Sequence, residues 1–262
     1  MHPVWFEGTA SLLAGLSGGL LSGLFGIGGG VVLIPMLSFA LGLPQHQAQG
    51  VALAAMLLPN GLPAVIYLRR VGVMIHWSLV GMLTAGFLPA VWLGAVIANR
   101  IPDTPLRLGF ACVLLVMAAN LLRQSGHPSG RLPSALPMGL DRAWRPGLAI
   151  GFVGGLASGL LGIGGGIIMV PLLVWMLRLP QREAQTTSLV FMLAPIGLPG
   201  VWVYAHSGAG LPWMALVGVA LGFLAGAYLG AKVAVRTRGR RLRQGFALLM
   251  AVMAAVLFRK GL

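Results

Sequence analysis

The chain has 262 residues, of which 58% are hydrophobic and only 8% are charged, and its mean hydropathy is +0.92. This composition excludes a soluble globular domain and indicates a polytopic membrane protein. The net charge of +14 comes from cations in short stretches between apolar runs, a pattern typical of topology signals and lipid contacts rather than of a nucleic-acid surface.

The first apolar run, 9–41, follows an N-terminus without a basic leader, so we expect it to remain in the mature protein. It is too long for one span, because roughly 20 residues cross a bilayer as a helix. The later runs, most of them near that length, are 47–68, 73–98, 104–122, 147–177, 184–205, 211–231 and 244–258. The sequence therefore predicts an all-α polytopic membrane protein.

A Gly-Ile-Gly-Gly-Gly stretch interrupts the first run at 26–30 and the run 147–177 at 162–166. Each glycine in a helix interior costs about 1 kcal/mol relative to alanine, so a break is expected at both stretches. The arm from Val31 to Leu41 reaches only about 17 Å as a helix. It cannot cross roughly 30 Å of hydrocarbon, so the break is expected near mid-membrane.

A single offset of 136 residues aligns the two halves of the chain without a gap: it places Gly26 on Gly162 and Pro35 on Pro171. It also matches a Pro-x-Gly-Leu-Pro segment at 59–63 with one at 195–199, and paired prolines are expected to kink or unwind a span. We predict two repeats, 1–125 and 140–262, joined by a linker at 126–139 and forming one integrated transmembrane domain.

Lys and Arg concentrate at 69–70, in the linker region, at 178–182 and at 232–243, and the positive-inside rule places these stretches in the cytoplasm. The corresponding loop of the other repeat often has the opposite charge bias: Arg69-Arg70 corresponds to the uncharged stretch 205–210. The repeats are therefore predicted to be inverted, each a broken or re-entrant helical hairpin plus three spans. Both termini are then predicted outside.

The two glycine stretches form the predicted substrate site. The helix after each stretch presents free N–H groups and its positive dipole end to the membrane interior, and two such ends favour a small anion. Close helix packing by small residues, and hydroxyls bonded to their own helix, are the alternative interpretations. The predicted substrate-binding residues are Gly26, Gly28, Gly29, Gly30, Gly162, Gly164, Gly165, Gly166, Ser22, Ser158, Gln49, Asn60, Gln185, Thr186, Thr187 and Ser188.

Titratable and nucleophilic residues give no sign of an enzyme or of a metal site. No Ser-His-Asp, Cys-His or zinc-ligand spacing occurs, and Cys112 is the single cysteine. We predict no enzyme activity, no metal and no cofactor. Histidines near the span ends are interpreted as interfacial contacts, with proton coupling as the alternative. The acidic residues, all expected in loops or termini, are Glu7, Asp103, Asp141 and Glu183.

The duplicated motif resembles the sulfite exporter TauE/SafE family of membrane permeases, also called the 4-toluene sulfonate uptake permease family. The resemblance is carried by Gly26–Gly30 with Pro35, by Gly162–Gly166 with Pro171, and by the Thr-Ser-Leu segment at 187–189. The first repeat lacks these hydroxyls. The resemblance implies a multi-pass protein of the bacterial inner membrane, which moves sulfur-containing anions.

We therefore expect a secondary transporter for small sulfur-containing oxyanions, such as sulfite or organosulfonates. Alternating access would occur around a midplane site at the two glycine stretches. The alternatives are an anion channel and a non-transporting membrane scaffold. The expected partners are the small anion and the lipid bilayer, and no nucleic acid; assembly into a homo-oligomer is left open.

Overall fold

The computed structural model describes residues 4–25, 29–58, 65, 75–124, 140–179, 181–206, 210–234 and 239–261. Within these ranges the regular structure is α-helical, and six of the helices have 22 or 23 residues. The helices are α1 Val4–Phe25, α2 Gly30–Ala40, α3 Gln45–Ala55, α4 Trp77–Ala98, α5 Asp103–Gln124, α6 Leu140–Leu161, α7 Gly166–Met176, α8 Gln181–Phe191, α9 Leu198–Ala205, α10 Trp213–Ala234 and α11 Gly239–Gly261.

The helices fall into long and short classes that follow the predicted breaks. Among the described residues, three segments are long and apolar enough to cross a membrane: Trp77–Ala98, Asp103–Asn120 and Trp213–Gly230. In contrast, α2, α3, α7 and α8 have 11 residues each and reach only about 16 Å. The predicted all-helical membrane fold is confirmed, and none of these four short helices can cross a bilayer alone.

Helix bounds recur at the offset seen in the sequence. The bounds of α1, α2, α3 and α4, each increased by 136, are the bounds of α6, α7, α8 and α10. The packing follows the same relation, because α1 packs on α10 and α6 packs on α4, while α5 packs on α11. Four helices of the first half of the described chain therefore recur at the same spacing in the second half.

Glycines bring the backbones together at the interface of α1 with α10. A Cβ atom on Gly222 or Gly226 would clash with the main chain of α1, at the carbonyl oxygens of Leu12 and Leu16. The interface of α4 with α6 is similar, since a Cβ on Gly155 would lie 2.5 Å from the carbonyl oxygen of Phe87. The small-xxx-small packing considered for the glycine stretches is thus also used on these helix faces.

The predicted placement of the acidic residues in loops or termini is wrong for Asp103, Asp141 and Glu183, which lie in helices, and Glu183 is also buried. It lies in the first turn of α8, is only 7% exposed, and its Oε2 is 3.1 Å from Nε2 of His76. Glu7 and Asp103 likewise lie in first helical turns, and Asp141 is the second residue of α6. A carboxylate is favourable in a first turn, because it faces the positive end of the helix dipole.

Candidate functional site

The second glycine stretch is a sharp break between α6 and α7. Gly162, Gly164 and Gly165 have φ angles of 69°, 75° and 73°, in the left-handed region that residues with side chains rarely adopt. The break is also tightly packed, since a Cβ on Gly162 would lie 2.8 Å from the Cβ of Gln49. The glycines are therefore required both by the backbone conformation and by the surrounding space.

The first glycine stretch is described only from Gly29 onward, and Gly26 and Gly28 lie outside the described residues. A Cβ on Gly29 would lie 2.9 Å from the carbonyl oxygen of Gly18, about two turns before the end of α1. Gly29, just before α2, therefore lies beside α1 rather than beyond its end.

The two stretches lie against each other. A Cβ on Gly30 would lie 2.6 Å from the carbonyl oxygen of Gly162 and 3.0 Å from the Cα of Ile163. These residues are buried, although 132 positions separate Gly30 from Gly162. The start of α2 and the break after α6 therefore share one location inside the protein, as expected from the sequence.

A small cavity lies beside this contact, with space on the order of one water molecule. The hydroxyl of Ser158 is fully buried and, within the described part of the chain, has no hydrogen-bond partner. Met56 and Met192, which are equivalent under the offset, both line the cavity. Among the described residues, the cavity is lined by Leu53, Met56, Phe87, Ser158, Gly164, Met192, Ile196 and Gly197.

The carbonyl groups near the end of α6 have hydrogen-bond partners. The N–H of Gly162 donates to the carbonyl of Ser158 at 2.7 Å, and Nε2 of Gln49 donates to that of Leu160 at 3.1 Å. The hydroxyl of Tyr204 lies 2.7 Å from the carbonyl oxygen of Gly159 and 2.9 Å from Oε1 of Gln49. Helix ends leave such carbonyls without partners inside the helix, and here side chains of α3 and α9 satisfy them.

Tyr204 is not among the site residues predicted from the sequence. Its only sequence signal is a phenol inside an apolar run, at a position where the other repeat has Leu68. The side chain of Gln49, predicted to bind substrate, is engaged in the same cluster at the end of α6.

The other predicted site residues divide into three groups. Ser158 and Gly164 line the cavity, and Gly29, Gly30, Gly162, Gly165 and Gly166 are buried at the breaks. Thr186, Thr187 and Ser188 are fully buried on α8 without lining the cavity, and Ser22 is half-buried on α1. Asn60, like Gly26 and Gly28, and the side chain of Gln185 lie outside the described residues.

The predicted break at the Pro-x-Gly-Leu-Pro segments is confirmed for the second copy. Helix α8 ends at Phe191, and α9 begins at Leu198 with Pro199 in its first turn. Ile196 and Gly197, between these helices, line the cavity. The first copy, 59–63, lies outside the described residues.

The described lining of the cavity carries no charge. Its one polar side chain is that of Ser158, and no Lys, Arg, Asp or Glu is among the described residues that line it. Neither α2 nor α7 has a side-chain cap on its N-terminus, because Gly29 and Gly165 occupy the cap positions. In the part of the chain that the structure describes, no group of three His, Cys, Asp or Glu residues could hold a metal ion.

Comparison with known proteins gives a consistent set of relatives. The family model "Sulfite exporter TauE/SafE" matches residues 11–257. A "Probable membrane transporter protein" of Haemophilus influenzae is 26% identical over 266 residues, covering 95% of this chain and 97% of the relative. The "Probable membrane transporter protein YunE" of Bacillus subtilis is 25% identical over 242 residues, or 85% of each chain. No solved structure matches the chain.

Proposed function

Because the chain belongs to the Sulfite exporter TauE/SafE family, we propose that it is a secondary transporter of small sulfur-containing oxyanions, such as sulfite or organosulfonates. Family membership makes it a membrane transporter and not an enzyme. The observation that carries the proposed substrate class is the Ser158 hydroxyl, buried without a partner where it lines the cavity beside Gly164. A buried hydroxyl without a partner costs about 1–3 kcal/mol, which an oxyanion oxygen would recover.

The neutral lining supports transport rather than permanent binding. A buried Lys or Arg would hold an anion strongly, whereas a hydroxyl and backbone N–H groups attract it moderately and allow its release. The glycines allow an anion to approach the backbone closely, and the apolar side chains around them exclude water. We assign the substrate site to Ser158 and Gly164 together with the glycines that adjoin them.

We further propose that the two repeats are inverted. His46, in the first turn of α3, lies 3.2 Å from the carbonyl oxygen of Ile101, just beyond the C-terminal end of α4. Glu183, in the first turn of the equivalent α8, pairs with His76, just before the N-terminal end of α4. The two ends of this 22-residue helix are about 33 Å apart, so equivalent helices begin near opposite ends of it.

This arrangement supports two inverted repeats, 1–125 and 140–262. The positive-inside rule, applied to the Lys and Arg stretches, favours a cytoplasmic linker 126–139 and both termini outside the bacterial inner membrane. Inverted repeats around a shared central site are typical of alternating access. Positions 42 and 178 are equivalent and exposed. Labelling of single cysteines at both positions from the same face of sealed vesicles would contradict the inversion.

The small volume of the cavity favours a carrier over the alternative of an anion channel. A channel needs a continuous pore, whereas this cavity holds space on the order of one water molecule and is lined, among the described residues, mainly by apolar side chains. We therefore interpret the protein as a carrier.

Replacement of Ser158 by alanine tests the proposed site. Losing one hydrogen bond of about 1 kcal/mol should weaken anion binding by about fivefold to tenfold, while the fold is kept. Binding is measured from the unfolding temperature of the purified protein as sulfite or a sulfonate is added, because a ligand at 100 times its Kd stabilises by about 2.7 kcal/mol. Ser78→Ala, at an exposed position of α4, is the matched control. Equal affinities for both variants and the wild-type protein would remove Ser158 from the site.

A further inference from the structure

We propose that Gln49 and Tyr204 form a polar clasp, a pair of positioning residues that holds the break after α6 in the geometry needed for substrate binding. This inference rests on the transport function proposed above. The clasp joins α3, α6 and α9 through three contacts of 2.7 to 3.1 Å. Gln49 is 0% exposed and Tyr204 is 1% exposed, so water does not compete for these contacts.

The clasp acts on the residues that flank the candidate site. Its two acceptors are the carbonyls of Gly159 and Leu160, which follow Ser158 directly and precede Gly162. Moving these carbonyls would move the Ser158 hydroxyl on one side and the left-handed glycines on the other. The clasp therefore sets the distance between the donor groups of the site.

Gln49 also holds the break by direct packing. The position of a Cβ on Gly162 lies 2.8 Å from both Cβ and Cγ of Gln49, so the glycine backbone rests on this side chain. Because the Tyr204 hydroxyl contacts Oε1 of the same amide, the phenol fixes the orientation of the amide. The two side chains are thus expected to act as one unit.

The offset gives Tyr204 no tyrosine as its equivalent. The position equivalent to Tyr204 is Leu68, which has no hydroxyl, while Gln49 has its equivalent in Gln185. In the described structure the Tyr204 hydroxyl contacts the end of α6, just before the second glycine stretch. Substrate affinity is therefore expected to depend on Tyr204.

Tyr204→Phe tests the clasp, because it removes only the hydroxyl. In proteoliposomes with labelled sulfite, the half-saturating concentration should rise about tenfold, the effect of one lost hydrogen bond at the site, while the maximal flux per folded protein stays within about threefold. A merely structural role would lower the amount of folded protein and leave half-saturation unchanged. Tyr228→Phe, whose side chain is 60% exposed on α10, is the matched control and should match the wild-type protein.

Gln49→Met gives a second measurement, since it removes the amide at nearly constant volume. Gln45→Met is its control, because Gln45 lies on the same helix, is fully buried, and has no hydrogen-bond partner for its amide among the described residues. Gln49→Met should raise half-saturation and Gln45→Met should not. If the clasp is one unit, the double variant Gln49→Met with Tyr204→Phe should raise the half-saturating concentration no further than the single variant with the larger effect.

The outcomes separate the clasp from the transport function itself. Wild-type protein without anion-dependent flux would overturn the proposed function and the clasp with it. Wild-type flux with unchanged half-saturation in Tyr204→Phe and Gln49→Met would overturn the clasp alone. Failure of both variants to accumulate as folded protein would assign the pair to folding and would also overturn its positioning role.

Discussion

Replacing Gly164 with leucine is expected to reduce anion flux to the level of protein-free liposomes while the protein remains folded. Gly164 has a φ of 75°, a conformation that costs a residue with a side chain about 1–2 kcal/mol. A side chain there would also collide with the sulfur of Met56 and fill a cavity with space on the order of one water molecule. The backbone N–H groups of the break would then be out of reach of a substrate.

The fold is expected to survive this change, because the collision partner is a flexible methionine and overpacking of a core costs about 1–3 kcal/mol. Flux of labelled sulfite into proteoliposomes and the unfolding temperature are measured together. Gly81→Leu is the matched control, since Gly81 lies on α4 with no atom within 4 Å of its Cβ position. Normal flux in Gly164→Leu would remove the second glycine stretch from the site.

Replacing Gly226 with leucine is expected to have the largest effect on stability. A Cβ on Gly226 would meet the carbonyl oxygen of Leu16 and the nitrogen of Leu20, both main-chain atoms of α1. Main chain cannot move aside as a side chain can, so α1 and α10 would have to separate along their length. We expect a loss of about 3 kcal/mol or more, and little folded protein in the membrane.

The amount of monodisperse protein after heating in detergent measures this effect. Gly245→Leu, on α11, is the control, because nothing lies within 4 Å of its Cβ position. Wild-type thermal stability in Gly226→Leu would show that α1 and α10 do not pack through their backbones.

The features that were predictable from the sequence depend on local chemistry. Glycines at 162, 164 and 165 break the helix because only glycine enters the left-handed region at low cost. Their close spacing in the sequence is therefore enough to predict a break in the helix. The end of α8 before Pro195 and the start of α9 around Pro199 follow from the missing N–H and fixed φ of proline. The apolar runs and the repeat offset of 136 residues can likewise be found without knowledge of the fold.

The features that were missed depend on contacts between distant segments. Tyr204 lies 155 residues from Gln49, and nothing near either residue indicates that they meet at the end of α6. Glu183 follows an arginine in a polar stretch, a pattern that predicts a loop residue. The packing of α8 beside His76 nevertheless buries it. Repeat equivalence is also an incomplete guide, because Thr186, Thr187 and Ser188 replace Gly50, Val51 and Ala52 of the first repeat.

Countertransport tests most directly the central claim that one site is exposed alternately to the two sides of the membrane. Proteoliposomes are loaded with unlabelled sulfite, and the uptake of a trace of labelled sulfite is followed with and without that internal load. A carrier returns its site loaded, so the internal load should accelerate uptake and drive a transient accumulation of label. Label that merely equilibrates, with no acceleration by internal sulfite, would contradict the account and favour a channel.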